Sequence, residues 1–310
     1  MIGLIGGSGI YEALDLDAGH EESVETPFGA PSGSVTVGEL DGREIAFLPR
    51  HGPNHELSPT EVPYRANIYA LKELGVDRVL ATNAVGSLRE GLPPQTLVVP
   101  DQLFDRTRHR TTSFFGDGMV VHMGFAEPYC PHMTSHLATA AETIDDEAAA
   151  GADGEADDGP SADSGAEAGG GAEAGVEEDG TYVCIEGPQY STRAESEFYR
   201  AQGWDIVGMT AVPEAKLARE AELCYASVAG VTDYDVWKED SEVSLQEVLD
   251  NAAANEERIN ATIRRAIETM PDERDCDCAH ALDGTINTAA EAIPDETRER
   301  LALLAGDYLD

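Results

Sequence analysis

VPYRANIYALKELGVDRVLATNAVGSL, residues 62–88, holds one helix-to-strand unit from end to end. Tyr64, Ile68, Leu71 and Leu74 recur at helical spacing, and Gly75 supplies the stop. Past that glycine the period changes. RVLATNA (78–84) is a near-continuous apolar run, as expected of a strand covered on both faces. It runs into ATNAVGSL (81–88), whose small polar residues can offer amides and hydroxyls at a strand's carboxyl end, where α/β folds bind ligands.

The same alternation extends in both directions. Strand-like runs lie at 2–6, 34–40, 44–49, 96–100, 181–187, 205–209 and 225–232, and helical patterns at 194–203, 213–223 and 244–270. Strands alternating with helices predict an α/β fold with a mostly parallel or mixed sheet and helices on both sides. One stretch does not belong to it. Residues 145–180 are Ala, Gly, Asp and Glu with a little Ser and Pro, and no aromatic. Such a composition cannot bury enough apolar surface to offset its ordering entropy, so a disordered surface insertion is expected there. Residues 1–144 and 181–310 then form a single domain.

The charge excludes some partners. Twenty basic residues face sixty acidic ones, a formal net charge of −40 among 310 residues. Nucleic acid and anionic membrane surfaces need Lys and Arg that this chain lacks. The acidity describes the solvent better than the substrate, because a salt-rich cytoplasm screens such repulsion within a few ångströms. The opening MIGLIGGSGIYEALDLD lacks the basic region of a signal peptide, and no apolar run has the length of a membrane span, so a cytoplasmic location is expected. Among the cysteines, Cys130, Cys184, Cys224, Cys276 and Cys278, only the last two are close in sequence. Their C-x-C spacing, with only His280 nearby, lacks the C-x2-C of structural zinc sites. Two reduced thiols, or a redox-sensitive disulfide, are expected, and no metal.

Six segments carry candidate chemistry. IGGSGI (5–10) after a strand suits either an anion-binding turn with the Ser8 hydroxyl or a plain tight turn. LPRHGPNHELSP (48–59) places Arg50 and His51 for a phosphate. His51-x3-His55 resembles a metal pair on a helix, but Pro53 and Pro59 argue against that helix. The others are ATNAVGSL, IEGPQYSTRAESE (185–197), GMTAVPEA (208–215) and VTDYDVWKE (231–239). In the last, an apolar strand delivers Asp233 and Asp235, which extended backbone would point the same way.

Taken in order, GLIGGSGI, RHGPNH, NAVGSLRE, DQLFDRTRHR, IEGPQYSTRAES, MTAVPEAKLAREAELCYA and TDYDVWKE resemble the purine nucleoside phosphorylase family, in particular its methylthioadenosine-cleaving branch. The resemblance spans the chain outside the acidic insertion. It implies a single domain with a twisted mixed sheet flanked by helices. It implies a pentosyltransferase with no cofactor, inorganic phosphate being a co-substrate, and assembly as a homotrimer or a dimer of trimers. It implies a phosphate site of Ser8, Arg50, His51, Asn83, Ala84 and Thr210, and a purine site of Tyr190, Ser191, Tyr234, Asp233 and Asp235. Met209 would lie against the ribose, and Leu245 and Val248 would line the 5′ pocket, with His122 reaching in from a neighbouring subunit. Asp233 is expected to act as the general acid, with Asp235 and burial raising it above the ordinary carboxylate value of about 3.9. A carboxylate at 233 with Ser191 opposite favours a 6-aminopurine. A broader purine or methylthioinosine phosphorylase is the alternative within the family; a metal hydrolase or a non-catalytic nucleotide-binding protein is the alternative outside it.

Overall fold

The computed structural model describes residues 1–7, 16–153, 174–238 and 245–309. Eleven strands among them form one mixed sheet. The central strands are β1 (Ile2–Gly6), β4 (Arg43–Pro49), β5 (Arg78–Ser87) and β11 (Cys224–Asp233). They lie parallel, in the spatial order β4, β1, β5, β11. Their alternation is strict. Ile5, Ala46, Leu48, Val79, Ala81 and Tyr225 face one core layer. Ile2, Leu4, Ile45, Phe47, Leu80, Ala226 and Val228 face the other. Each layer is closed by helices. On the first face lie α1 (Tyr64–Glu73), α4 (Ala211–Glu220) and α6 (Asp295–Ala305); on the second lie α2 (Pro131–Asp153) and α5 (Leu245–Thr269). Between them in the chain, α3 (Arg193–Ala201) starts with a capping box in which the Thr192 hydroxyl accepts from the Glu195 N–H. The expected α/β fold with a mixed sheet is the fold found.

Three strands escape the apolar pattern. Strand β2 (Asp17–Glu22) is the exposed, polar edge beside β3 (Val35–Leu40), so its side chains carry no burial signal. Strand β7 (Gln102–Arg106) borders β9 (Thr181–Ile185) at the far end, next to β10 (Ile206–Gly208). The third, β8 (Val176–Glu178), pairs with β6 (Leu97–Val99), and β6 pairs with β11. Strand β8 and the length of α2 correct the expected bounds of the acidic insertion. Helix α2 runs on to Asp153 because alanine favours helix and because Asp145 accepts from Arg258 and Glu147 from Arg265, both on α5. The middle of the insertion, residues 154–173, lies outside the described residues, as does Ser8.

One buried carboxylate makes the fold sensitive to pH. Glu220, at the end of α4, accepts from the Ser113 hydroxyl and the Phe114 N–H, both at 2.7 Å. Burial outweighs these bonds and pushes it up to about 7. The folded state therefore holds a proton that the unfolded chain has lost by pH 5 or so, and wild-type stability falls as pH rises from there to 7. Glu220→Gln has no charge to bury; its carbonyl oxygen can accept from the Phe114 N–H while its amide donates to the Ser113 hydroxyl. In thermal denaturation from pH 5 to pH 8 the variant is expected to gain about 1–3 kcal/mol relative to wild type by pH 8. Parallel Tm curves for the two proteins would refute this.

Candidate active site

The site begins at a gap in the sheet. Strand β11 covers one edge of β5 from Arg78 to Gly86. On the other edge β1 pairs with Arg78–Ala81, and β10 with Gly86 and Ser87. Between these partners Thr82–Val85 have no strand neighbour on that edge among the described residues. A cavity of about 880 Å³ opens there, and Thr82, Asn83, Ala84, Val85 and Gly86 line it together with Gly7 at the end of β1. This is the switch point at which α/β sheets bind ligands.

One end of the cavity gathers Arg50, His51, Asn83 and Thr210. Arg50 follows β4 and is 3% exposed. Its Nε and Nη2 donate to the two Glu214 carboxylate oxygens, each at 2.8 Å. Nη1 donates to the Thr82 carbonyl at 2.8 Å and Nη2, more weakly, to that of Ile5 at 3.4 Å. A guanidinium has five N–H groups, so one on Nη1 is left over for a cavity ligand. The Tyr225 hydroxyl also donates to Glu214, at 2.8 Å. Burial opposes the charge of Arg50, and the Glu214 carboxylate reverses that and holds it above its ordinary value. Across the gap the Asn83 amide donates to the Thr210 hydroxyl at 2.8 Å, and the Tyr182 hydroxyl also faces Thr210.

His51 completes this end in an unexpected state. Its Nδ1 lies 2.8 Å from the Leu57 carbonyl. A carbonyl only accepts, so Nδ1 carries the proton and Nε2 keeps its lone pair. Burial, followed by the adjacent Arg50 charge, lowers His51 to about 4. His51 is therefore neutral at pH 7, and its free nitrogen suits a phosphate that still carries a proton. The His51 and His55 rings stack at 4.6 Å. They form no metal-binding group with a third ligand among the described residues.

The other end holds the acids. Asp233 closes β11, where a bulge interrupts the pairing with β5 after Val231. Gly86 makes room for it, since a Cβ there would meet Asp233 Oδ1 at 3.0 Å. Asp233 accepts from the Thr232 hydroxyl and from the Asp235 N–H, both at 2.7 Å. Burial nevertheless raises it above its ordinary value, with Asp235 and Glu247 adding to the effect. Burial raises Asp235 as well, and the hydroxyls of Ser196 and Ser191 face it. The two acids meet through a turn, with Asp235 at φ 51°, rather than through extended alternation. That geometry corrects the expectation for Tyr234. It turns away from the cavity, packing edge-on against Trp237 with the Lys238 ammonium over its ring.

Most remaining candidates do line the cavity: Met209, Tyr190, Ser191, Leu245 and Val248. Gly187 stands at φ 65°, and a Cβ on it would meet Met209 Sδ at 2.5 Å, so only glycine admits Met209 there. Leu249 and Ala252 extend the apolar stripe of α5. His122 lies outside the cavity of its own chain, where its N–H bonds the Thr285 carbonyl. Two organising residues escaped the sequence reading. One is Glu214, whose partner is 164 positions away. The other is Arg110, which is buried and donates to the Tyr64 hydroxyl and to the carbonyls of Met209, Val212 and Glu186. It sits in the basic run DRTRHR (105–110), which does not single it out.

Comparison with known proteins agrees with this arrangement. The family described as "Phosphorylase superfamily" matches residues 1–268. The chain belongs to the phosphorylase superfamily. It is 46% identical to the S-methyl-5'-thioadenosine phosphorylase of Geobacter sulfurreducens, over 100% of this chain and 99% of that one. A crystal structure of methylthioadenosine phosphorylase sourced from an antarctic soil metagenomic library superposes with a TM-score of 0.85, at 43% identity and 98% coverage of both chains. Methylthioadenosine phosphorylase from Schistosoma mansoni in complex with adenine gives a TM-score of 0.77 at 35% identity, covering 95% of this chain and 99% of that one.

The state of His51 is open to measurement in this superfamily member. Because His51 titrates near 4, removing it should change phosphate binding by the same factor across neutral pH. The ratio of phosphate KM between His51→Ala and wild type is expected to stay constant from pH 6 to pH 8. A ratio that changes about tenfold over that range would mean that His51 gains its proton near the ordinary histidine value.

Proposed function

We propose that this chain cleaves S-methyl-5′-thioadenosine with inorganic phosphate, giving adenine and 5-methylthioribose 1-phosphate. The observation that carries the reading is the pair of ends of one cavity: an anion site at Arg50, Asn83 and Thr210, and a buried acid pair at Asp233 and Asp235. Phosphate is a co-substrate, and the reaction uses no metal cofactor. Ser8, Arg50, His51, Asn83, Ala84 and Thr210 hold the phosphate beneath the sugar. The bond from ribose carbon 1 to purine nitrogen 9 breaks with its electron pair going to the purine. A phosphate oxygen forms the new bond to carbon 1. Asp233, shifted by burial toward its protonated form, gives its proton to nitrogen 7 and so neutralises the leaving base. Asp235 and Ser191 hold the purine edge, Tyr190 covers its face and Met209 lies against the ribose.

Apolar Leu245 and Val248 favour a methylthio group at the 5′ position over a hydroxyl. Leu245 and Leu249 are 66% and 54% exposed at this end of the cavity, which suits closure by another subunit. A homotrimer, or a dimer of trimers, places His122 of a neighbouring chain there. The chain works in the cytoplasm, and its charge of −40 fits a salt-rich one. No helix among the described residues is long and apolar enough to cross a membrane.

Turnover of methylthioadenosine, methylthioinosine and inosine at saturating phosphate tests the reading. Methylthioadenosine should exceed the other two at least tenfold in kcat/KM and show no turnover without phosphate. Comparable rates on methylthioinosine would mark a broader purine enzyme. Adenine released without phosphate would replace phosphorolysis by hydrolysis.

A further inference from the structure

Far from the cavity, at the opposite end of β11, four cysteines meet. Cys130 precedes α2, Cys224 opens β11, and Cys276 and Cys278 flank the start of a 3-10 turn at Asp277–His280. Their four sulfur atoms all lie within 4.8 Å of one another. Cys130, Cys224 and Cys278 are buried, and Cys276 is partly so. The C-x-C spacing alone gave no metal site, because it offers two ligands and the other two come from 52 or more positions away.

We infer that Cys130, Cys224, Cys276 and Cys278 form a structural site for a single zinc ion, separate from the catalytic cavity. Four thiolates at a zinc–sulfur distance of about 2.3 Å sit about 3.8 Å apart at the corners of a tetrahedron. Two disulfides would require each sulfur to approach only one other, whereas a tetrahedral ion requires each to approach three, as here. The all-sulfur donor set selects a soft or borderline ion, and the cluster is too tight to enclose several iron atoms. Zinc entry forms four Zn–S bonds and releases the four S–H protons, leaving a site of charge −2.

The site has a mechanical consequence. Cys276 and Cys278 belong to the segment that leads to α6, which closes the first core layer. Zinc would tie that segment to β11 and α2. At ~3.3 Å per residue, the ten-residue β11 holds this anchor roughly 30 Å from Asp233. Loss of the ion should therefore cost stability and leave the chemistry of the cavity intact.

The test is metal analysis of the full chain, purified without a polyhistidine tag, under reducing conditions and with zinc in the medium. About one zinc per chain is expected, falling at least fivefold in Cys130→Ser and in Cys278→Ser. Both variants should show a lower Tm with unchanged kcat/KM. Cobalt(II) exchanged into the wild-type chain provides a readout that needs no variant: intense tetrahedral d–d bands with thiolate charge transfer are expected. No zinc before or after reconstitution, or weak octahedral cobalt bands, would overturn the inference. So would a native mass reduced by two or four hydrogens, which would show disulfides in place of the ion.

Discussion

The parallel ladder between β5 and β11 sets Asn83 opposite Ala229, Ala84 opposite Gly230 and Gly86 opposite Asp233. That register places the anion-binding residues and the acid on neighbouring strands, a few residues apart. The second edge of β5, left open between β1 and β10, supplies the space into which both project. The ladder is braced from the side by the Arg50–Glu214 pair. Arg50 bonds the carbonyls of β1 and β5, and Glu214 takes the Tyr225 hydroxyl of β11. The same contacts that hold four strands together leave one N–H of Arg50, a residue of the cavity lining, without a protein acceptor.

The electrostatics follow from that economy. At the Arg50 end of the cavity Arg50 is matched by Glu214, and His51 is neutral at pH 7. What this end offers is oriented donors, the remaining Arg50 N–H and the Thr210 hydroxyl. Short directional bonds of this kind in a buried site are screened much less by salt than attraction between surface charges. This is compatible with a surface of net charge −40, which would otherwise repel phosphate. At the other end burial works in the opposite sense, shifting Asp233 toward its protonated form.

Much of this was legible in the sequence, for identifiable reasons. Strands β1, β5 and β11 are buried on both faces, so their apolar runs stand out. Strand β2 is polar because it is an edge, and α2 reaches into a composition that reads as disordered until the Arg258 and Arg265 partners on α5 are seen. Arg50, Asn83, Thr210, Asp233 and Ser191 were readable through their motifs, and the cavity gathers them. Tyr234 is not among the cavity residues; it packs on Trp237 and Lys238, contacts that the motif does not show. Glu214, Arg110 and the four-cysteine cluster depend on contacts between segments tens to more than a hundred residues apart, and local patterns carry no trace of those.

The central claim is that Asp233, fixed by this ladder, protonates nitrogen 7 of the leaving purine. The direct measurement is a cycle of four single-turnover rates: wild type and Asp233→Asn, each with methylthioadenosine and with its 7-deaza analogue, at saturating phosphate. The account predicts that either change alone slows cleavage at least a hundredfold, and that the variant is no slower than wild type on the deaza substrate. If wild type cleaves the 7-deaza analogue at full rate, or if the two losses simply multiply, Asp233 does not act at nitrogen 7.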